Sequence, residues 1–130
     1  MKTIVAGSRE ITDYQIVHDA VYSCPWVITE IVSGGARGVD TLGEQAAAAF
    51  GIPVKVFPAD WVTHGRAAGP IRNQQMAAYA TALIAIWDGK STGTLNMIKQ
   101  AERLKLRVQV ITTAKKIEPE WYDDMDEFGF

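Results

Sequence analysis

The chain has 130 residues, of which 48% are hydrophobic and 22% charged, with a formal net charge of −2. That is enough chain to bury one domain core, and the mild acidity argues against a dedicated nucleic-acid binder, which carries a basic excess on one face. The lone cysteine, Cys24, cannot form an internal disulfide and reads as a small apolar filler, and with only His18 and His64 beside it no metal cluster can be assembled.

In chain order, the opening run Met1 to Gly7 is too short for a signal peptide. No stretch approaches the ~20 apolar residues of a membrane span, so a cytoplasmic protein is expected. Thr3-Ile4-Val5-Ala6 reads as a strand ending in Gly7-Ser8-Arg9. A helix follows from an Asp13 N-cap, with Ile16, Val17, Ala20 and Val21 on one face and Pro25 as its stop. Ile28 to Val32 is a second strand, ending in Ser33-Gly34-Gly35-Ala36-Arg37-Gly38-Val39-Asp40. Helix-forming residues from Glu44 to Ala49 come next, and Gly51 fits the C-terminal position that wants a positive φ. Pro53 to Pro58 is a strand bounded by prolines, which suits a sheet edge. The segment from Ala59 to Gly69 reads as one long loop, after which Pro70 opens a helix carrying Arg72 and Asn73. Ala82 to Trp87 is continuously apolar, as a central parallel strand must be, and ends in Asp88-Gly89-Lys90-Ser91-Thr92-Gly93-Thr94. A helix from Leu95 to Leu104 and a strand from Val108 to Ile111 complete the series. The segment from Lys115 onward shows no period and is rich in acids and aromatics, so the chain divides into a domain at 1–113 and an exposed or lightly docked tail at 114–130.

Strands alternating with helices predict an α/β, Rossmann-like, three-layer open parallel sheet of about five strands, with 3-2-1-4-5 as the expected order. In such a sheet, ligands bind beyond the carboxyl ends of the strands, where the order switches direction. Gly, Ser, Thr and Arg gather at those ends here. Glycines let backbone approach a ligand, helix N-termini offer free N–H groups, and arginines fork onto phosphate oxygens. The predicted ligand-binding set is therefore Gly7, Ser8, Arg9, Ser33, Gly34, Gly35, Arg37, Gly38, Asp40, Arg72, Asn73, Asp88, Ser91, Gly93 and Thr94. Asp60, Trp61, His64 and Arg66 are candidates for a lid, with Trp61 stacking a base and Asp60 taking a ribose hydroxyl. Trp87 reads as core. Neither standard phosphate motif is complete. Ser33 stands where GxGxxG needs its first glycine, and Ile84 stands where a P-loop needs its leading one.

Four motifs in order, Gly7-Ser8-Arg9, Ser33 to Asp40, Gly69-Pro70-Ile71-Arg72-Asn73 and Asp88 to Thr94, resemble those of the SLOG superfamily, and within it the YspA/YpsA-related branch. The resemblance covers about residues 1 to 113 and implies a Rossmann-like domain that binds nucleotides or nucleotide-derived signals. That superfamily also holds the LOG phosphoribohydrolases and the DNA-processing protein DprA. LOG enzymes carry Pro-Gly-Gly-x-Gly-Thr-x-x-Glu with a catalytic glutamate. Matching its Gly-Thr to Gly93-Thr94 puts Met97 at that glutamate and Lys90-Ser91 at the paired glycines. A methionine cannot transfer a proton, so the phosphate cradle carries over and the hydrolase chemistry does not follow.

The sequence thus predicts a protein that binds or senses a nucleotide-derived small molecule. An N-glycosidic or phosphoribosyl hydrolase with a replaced acid, Asp40 or Asp88, is the alternative, and a single-stranded nucleic-acid binder is third. No cofactor is required and catalysis is left open. The expected partner is the small molecule, with self-association left open, nucleic acid disfavoured and a membrane excluded.

Overall fold

The computed structural model describes residues 1–113. Five strands, β1 (Lys2–Gly7), β2 (Glu30–Ser33), β3 (Val54–Val56), β4 (Ala82–Trp87) and β5 (Arg107–Thr112), form one sheet in the order β3-β2-β1-β4-β5. Every neighbouring pair is parallel, with β1 joined to both β2 and β4. The helices are α1 (Tyr14–Tyr22), α2 (Val39–Phe50), α3 (Trp61–His64), α4 (Ala68–Tyr79) and α5 (Thr92–Arg103).

Alternation along the central strands creates the three layers. Side chains at successive strand positions point to opposite faces. Ile4, Leu83 and Ala85 pack with Met76, Met97 and Ile98 beneath α4 and α5. Val5, Ile84 and Ile86 pack with Val17, Ala46 and Ala47 beneath α1 and α2. Continuous apolarity in β4 is therefore the signature of a strand covered twice. The lysine-bearing β3 has all three residues exposed and stands at the sheet edge that its flanking prolines predicted.

Local signals place the ends. Asp13 caps α1 by accepting the Gln15 N–H at 3.0 Å, and Gly51 ends α2 in the left-handed conformation at φ 68°. Cys24 is half-buried among the residues packed against the α1–α2 core. Two expectations need correction. The segment expected to be a long loop holds α3 and a 3-10 turn (Gly65–Ala67), because Asp60 caps it by accepting the Thr63 N–H at 3.1 Å. Pro70 consequently lies inside the first turn of α4, which opens at Ala68. Likewise α5 begins at Thr92 rather than Leu95, since Ser91 serves as its N-cap. No helix among the described residues is long and apolar enough to cross a membrane. The expected tail lies outside the described residues.

Candidate functional site

Because all strands run parallel, the loops after β1, β2 and β4 leave the same edge of the sheet, and β1 sits where the order reverses. Ser8 locks these loops together. It is buried, its N–H donates to the Ile86 carbonyl at 3.2 Å, and its hydroxyl accepts the Asp88 N–H at 3.1 Å. Its carbonyl accepts the Val39 N–H at 3.4 Å from the start of α2. Gly38 turns toward this joint at φ 76°, where a Cβ would stand 2.6 Å from the Ser8 carbonyl.

The loop after β2 turns its donors inward. Ser33 Oγ donates to Glu44 at 3.0 Å and accepts the Gly35 N–H at 3.1 Å. The Ala36 N–H donates to Asp40 Oδ2 at 3.2 Å. An internal carboxylate thus occupies the N-terminus of α2, the place where a phosphate would otherwise be expected. Arg37 extends into solvent and pairs with Glu10 at 2.9 Å. Such an exposed pair contributes little to stability.

Arg72 and Asn73 leave α4 as a latch between loops. Arg72 Nη1 donates to the Gly34 carbonyl at 2.6 Å and its Nε to Asn73 Oδ1 at 3.0 Å. Asn73 Nδ2 in turn donates to the Gly93 carbonyl at 3.2 Å and to Asn96 Oδ1 at 3.0 Å. Both side chains are buried. No carboxylate lies within ion-pair reach of Arg72 among the described residues, which hold only the His18–Asp19 and Arg37–Glu10 pairs. Its Nη2 makes no hydrogen bond to protein among the described residues. Burial draws the Arg72 pKa below the usual arginine value, and the charge of Asp40 opposes that. The guanidinium nonetheless stays charged at neutral pH.

After β4, Asp88 Oδ1 accepts the N–H groups of Lys90 and Ser91, both at 2.8 Å, and these bonds hold its carboxyl below the usual aspartate range. Ser91 Oγ accepts the Thr94 N–H at 3.3 Å and the Thr94 hydroxyl at 3.0 Å. Two hydroxyls that the sequence offers as ligand donors are thereby engaged in the cap. Among the described residues the first N–H groups of α5, on Thr92 and Gly93, have no partner, since helix geometry supplies none at that end. A Cβ on Gly93 would meet nothing within 4 Å, so the space before these donors is open. Trp87 is half-buried against the α4–α5 core, and its indole N–H donates to the Ser91 carbonyl at 3.0 Å.

These loops enclose a crevice of about 880 Å³ floored by Ala6, Met76 and Met97, with Gly7, Ser8, Arg9, Asp40, Arg72, Asn73, Asp88, Ser91, Gly93 and Thr94 in its walls. A second lobe of about 530 Å³ lies toward β3, lined by Gly34, Gly35, Arg37, Val56, Pro58 and Trp61. Arg9, Ala36, Trp61 and Arg72 border both lobes. Ser33 and Gly38 line neither and act as supports. Of the lid candidates, Trp61 and Arg66 reach the crevice, and the Arg9 guanidinium stands 5.8 Å from the Trp61 ring centroid. Asp60 and His64 line neither lobe, Asp60 being engaged as a helix cap. Lys90 and Asn96 line the crevice without having been singled out. Lys90 lay inside a recognised motif, and Asn96 is Gly93 plus one helical turn, the signal that could have found it.

Residues 1–64 match the YspA, cpYpsA-related SLOG family. The gene 61 protein of Mycobacterium phage D29 is 31% identical over 117 residues, covering 82% of this chain and 93% of that protein. The chain belongs to the YspA/cpYpsA-related SLOG family. As a SLOG domain it has the expected fold relative: DNA processing protein A (DprA) from Streptococcus pneumoniae superimposes with a TM-score of 0.72 at 18% identity. The match covers 98% of this chain and 56% of the DprA chain, so this SLOG protein spans little more than half the length of that relative. Met97, which the motif resemblance set against the LOG glutamate, is 1% exposed and part of the core under the crevice.

Proposed function

We propose that the protein binds a phosphate-bearing, nucleotide-derived small molecule in the crevice at the carboxyl ends of β1 and β4. The observation that carries this reading is Arg72, a buried guanidinium in the crevice wall that, among the described residues, has no carboxylate in ion-pair reach and no hydrogen bond from Nη2. Burying an unpaired charge is costly, and an anion at that point offsets the cost. The free N–H groups at the start of α5 and the side chain of Lys90 supply further donors across the same space. Trp61, half-exposed at the border of both lobes, offers a face for a base.

A second reading, hydrolysis of an N-glycosidic bond, rests on Asp40, a buried carboxylate in the crevice wall whose pKa burial pushes up to about 6. Its test is the release of free base from nucleoside monophosphates.

The binding reading is checked by thermal denaturation with AMP, NAD or ADP-ribose, because a ligand selective for the native state raises its apparent stability. We expect a rise of several degrees with at least one of them, absent with adenosine, and abolished by the double variant Arg9→Ala, Lys90→Ala. Stabilisation that survives this variant, or that adenosine reproduces, contradicts the reading.

A further inference from the structure

The crevice is not uniformly cationic. Arg9, Arg66, Arg72 and Lys90 face three acids, Glu10, Asp40 and Asp88. Glu10 is paired with Arg37 at the exposed rim, and Asp88 already accepts two backbone N–H groups. Asp40 differs from both. It is 6% exposed, and among the described residues only its Oδ2 takes a hydrogen bond from protein, from Ala36. A Cβ on Gly34 would stand 2.7 Å from that oxygen and 2.8 Å from Arg72 Cζ. The carboxylate and the guanidinium therefore crowd against the same side of Gly34 without forming an ion pair, and an anion seated on Arg72 lies at short range from Asp40.

Resting on the binding reading above, we propose that Asp40 is a charge filter that makes the crevice favour phosphates bearing one negative charge, as in a phosphodiester or a bridging diphosphate, over terminal phosphomonoesters. The repulsion from a fixed carboxylate grows in proportion to the charge on the ligand, and in a buried wall salt screens it little. A monoester carries about −1.5 to −2 at neutral pH. The groups facing Asp40 are Arg72 from α4, Arg9 from the loop after β1, and Glu44 from its own helix. Glu44 adds to the repulsion, while the arginines must neutralise Asp40 as well as the ligand. Asp40 thus cancels part of the cationic field, and the loss of attraction is larger for a doubly charged phosphate than for a singly charged one. Burial raises Asp40 to a pKa of about 6, so the filter is charged at pH 8 and largely discharged near pH 5.

The test compares AMP with its methyl ester, adenosine 5′-(methyl phosphate), by calorimetric titration of the full chain at pH 8. Base and ribose are identical, so the ratio of affinities isolates the phosphate charge. The ester is expected to bind at least tenfold more tightly. Asp40→Asn keeps an acceptor for the Ala36 N–H while losing the charge, and is expected to bring the ratio to within about twofold. Equal affinities in the wild type, or an ester preference that persists in the variant, overturn the proposal and leave the binding reading standing. If neither nucleotide binds, the binding reading fails and takes the proposal with it. A carbon NMR titration of the wild-type Asp40 carboxyl gives an independent readout that needs no variant. Saturating ester is expected to raise its proton affinity at least tenfold, and an unchanged titration curve overturns the filter.

Discussion

Burying a carboxylate costs free energy unless a cation pairs with it, and at Asp40 the cations are near without pairing. Its folded pKa of about 6 lies above the ordinary aspartate value of 3.8, so the folded chain holds this proton more tightly than the unfolded chain. The stabilising contribution is complete below about pH 4 and is lost as pH rises through 6. A difference of roughly two pH units corresponds to at most about 3 kcal/mol. Asp40→Asn is therefore expected to be more stable than wild type at pH 8, by about 1 to 3 kcal/mol, and about equal at about pH 3, below the unfolded value; urea unfolding at the two pH values measures this. A variant less stable at pH 8 would mean that the carboxylate charge is needed to hold the Gly34–Ala36 turn. Asn73 is the complementary case. Asn73→Ala orphans Arg72 Nε and frees the Gly93 carbonyl, and is expected to cost about 1 to 3 kcal/mol in the same assay. Arg72 and Asn73 could be placed at the crevice from their position at the start of a helix. Their latch could not be read, because Arg72 reaches Gly34 across 38 residues of sequence and Asn73 reaches Gly93 across 20.

At the scale of elements, a helix start is written locally and what it binds is not. Asp13, Gly51 and the prolines around β3 act on their immediate neighbours, and each placed its element correctly. Asp60 and Ser91 are caps of the same kind, yet both looked like ligand contacts because the same oxygen can serve either purpose. Such competition also explains why Ser33 and Ser8, read as phosphate donors, are spent joining loops. At α5 the unspent donors of Thr92 and Gly93 give a separable test. Gly93→Ala replaces a poor helix former with a good one and meets no steric obstacle, so the free protein is expected to gain a few tenths to about 1 kcal/mol. The added methyl stands before the anion site, so nucleotide affinity is expected to fall at least fivefold. Thermal denaturation and calorimetry on one sample check both directions. A variant that loses stability would show that this glycine is needed for the fold.

For the whole molecule, a parallel sheet followed from alternation of strands and helices, and the order β3-β2-β1-β4-β5, which matches the one expected, sets the position of the crevice. Three-dimensional charge placement did not follow. The net charge of −2 gives no hint that four cationic side chains gather in one crevice while Arg37 is spent at its rim. This distribution favours a compact anion over a polymer, which needs a cationic track extending beyond one cavity. Single-stranded oligonucleotides are accordingly expected to show no binding at 150 mM salt by fluorescence anisotropy, and submicromolar affinity there would move the assignment toward strand binding. The central claim, a phosphate seated between Arg72 and the first turn of α5, is tested most directly by amide and guanidinium NMR during titration with ADP-ribose. The account predicts shifts concentrated on the Thr92 and Gly93 amides and on Arg72 Nε–H, and none with adenosine. Shifts confined to the α1–α2 face, or equal with adenosine, would contradict it.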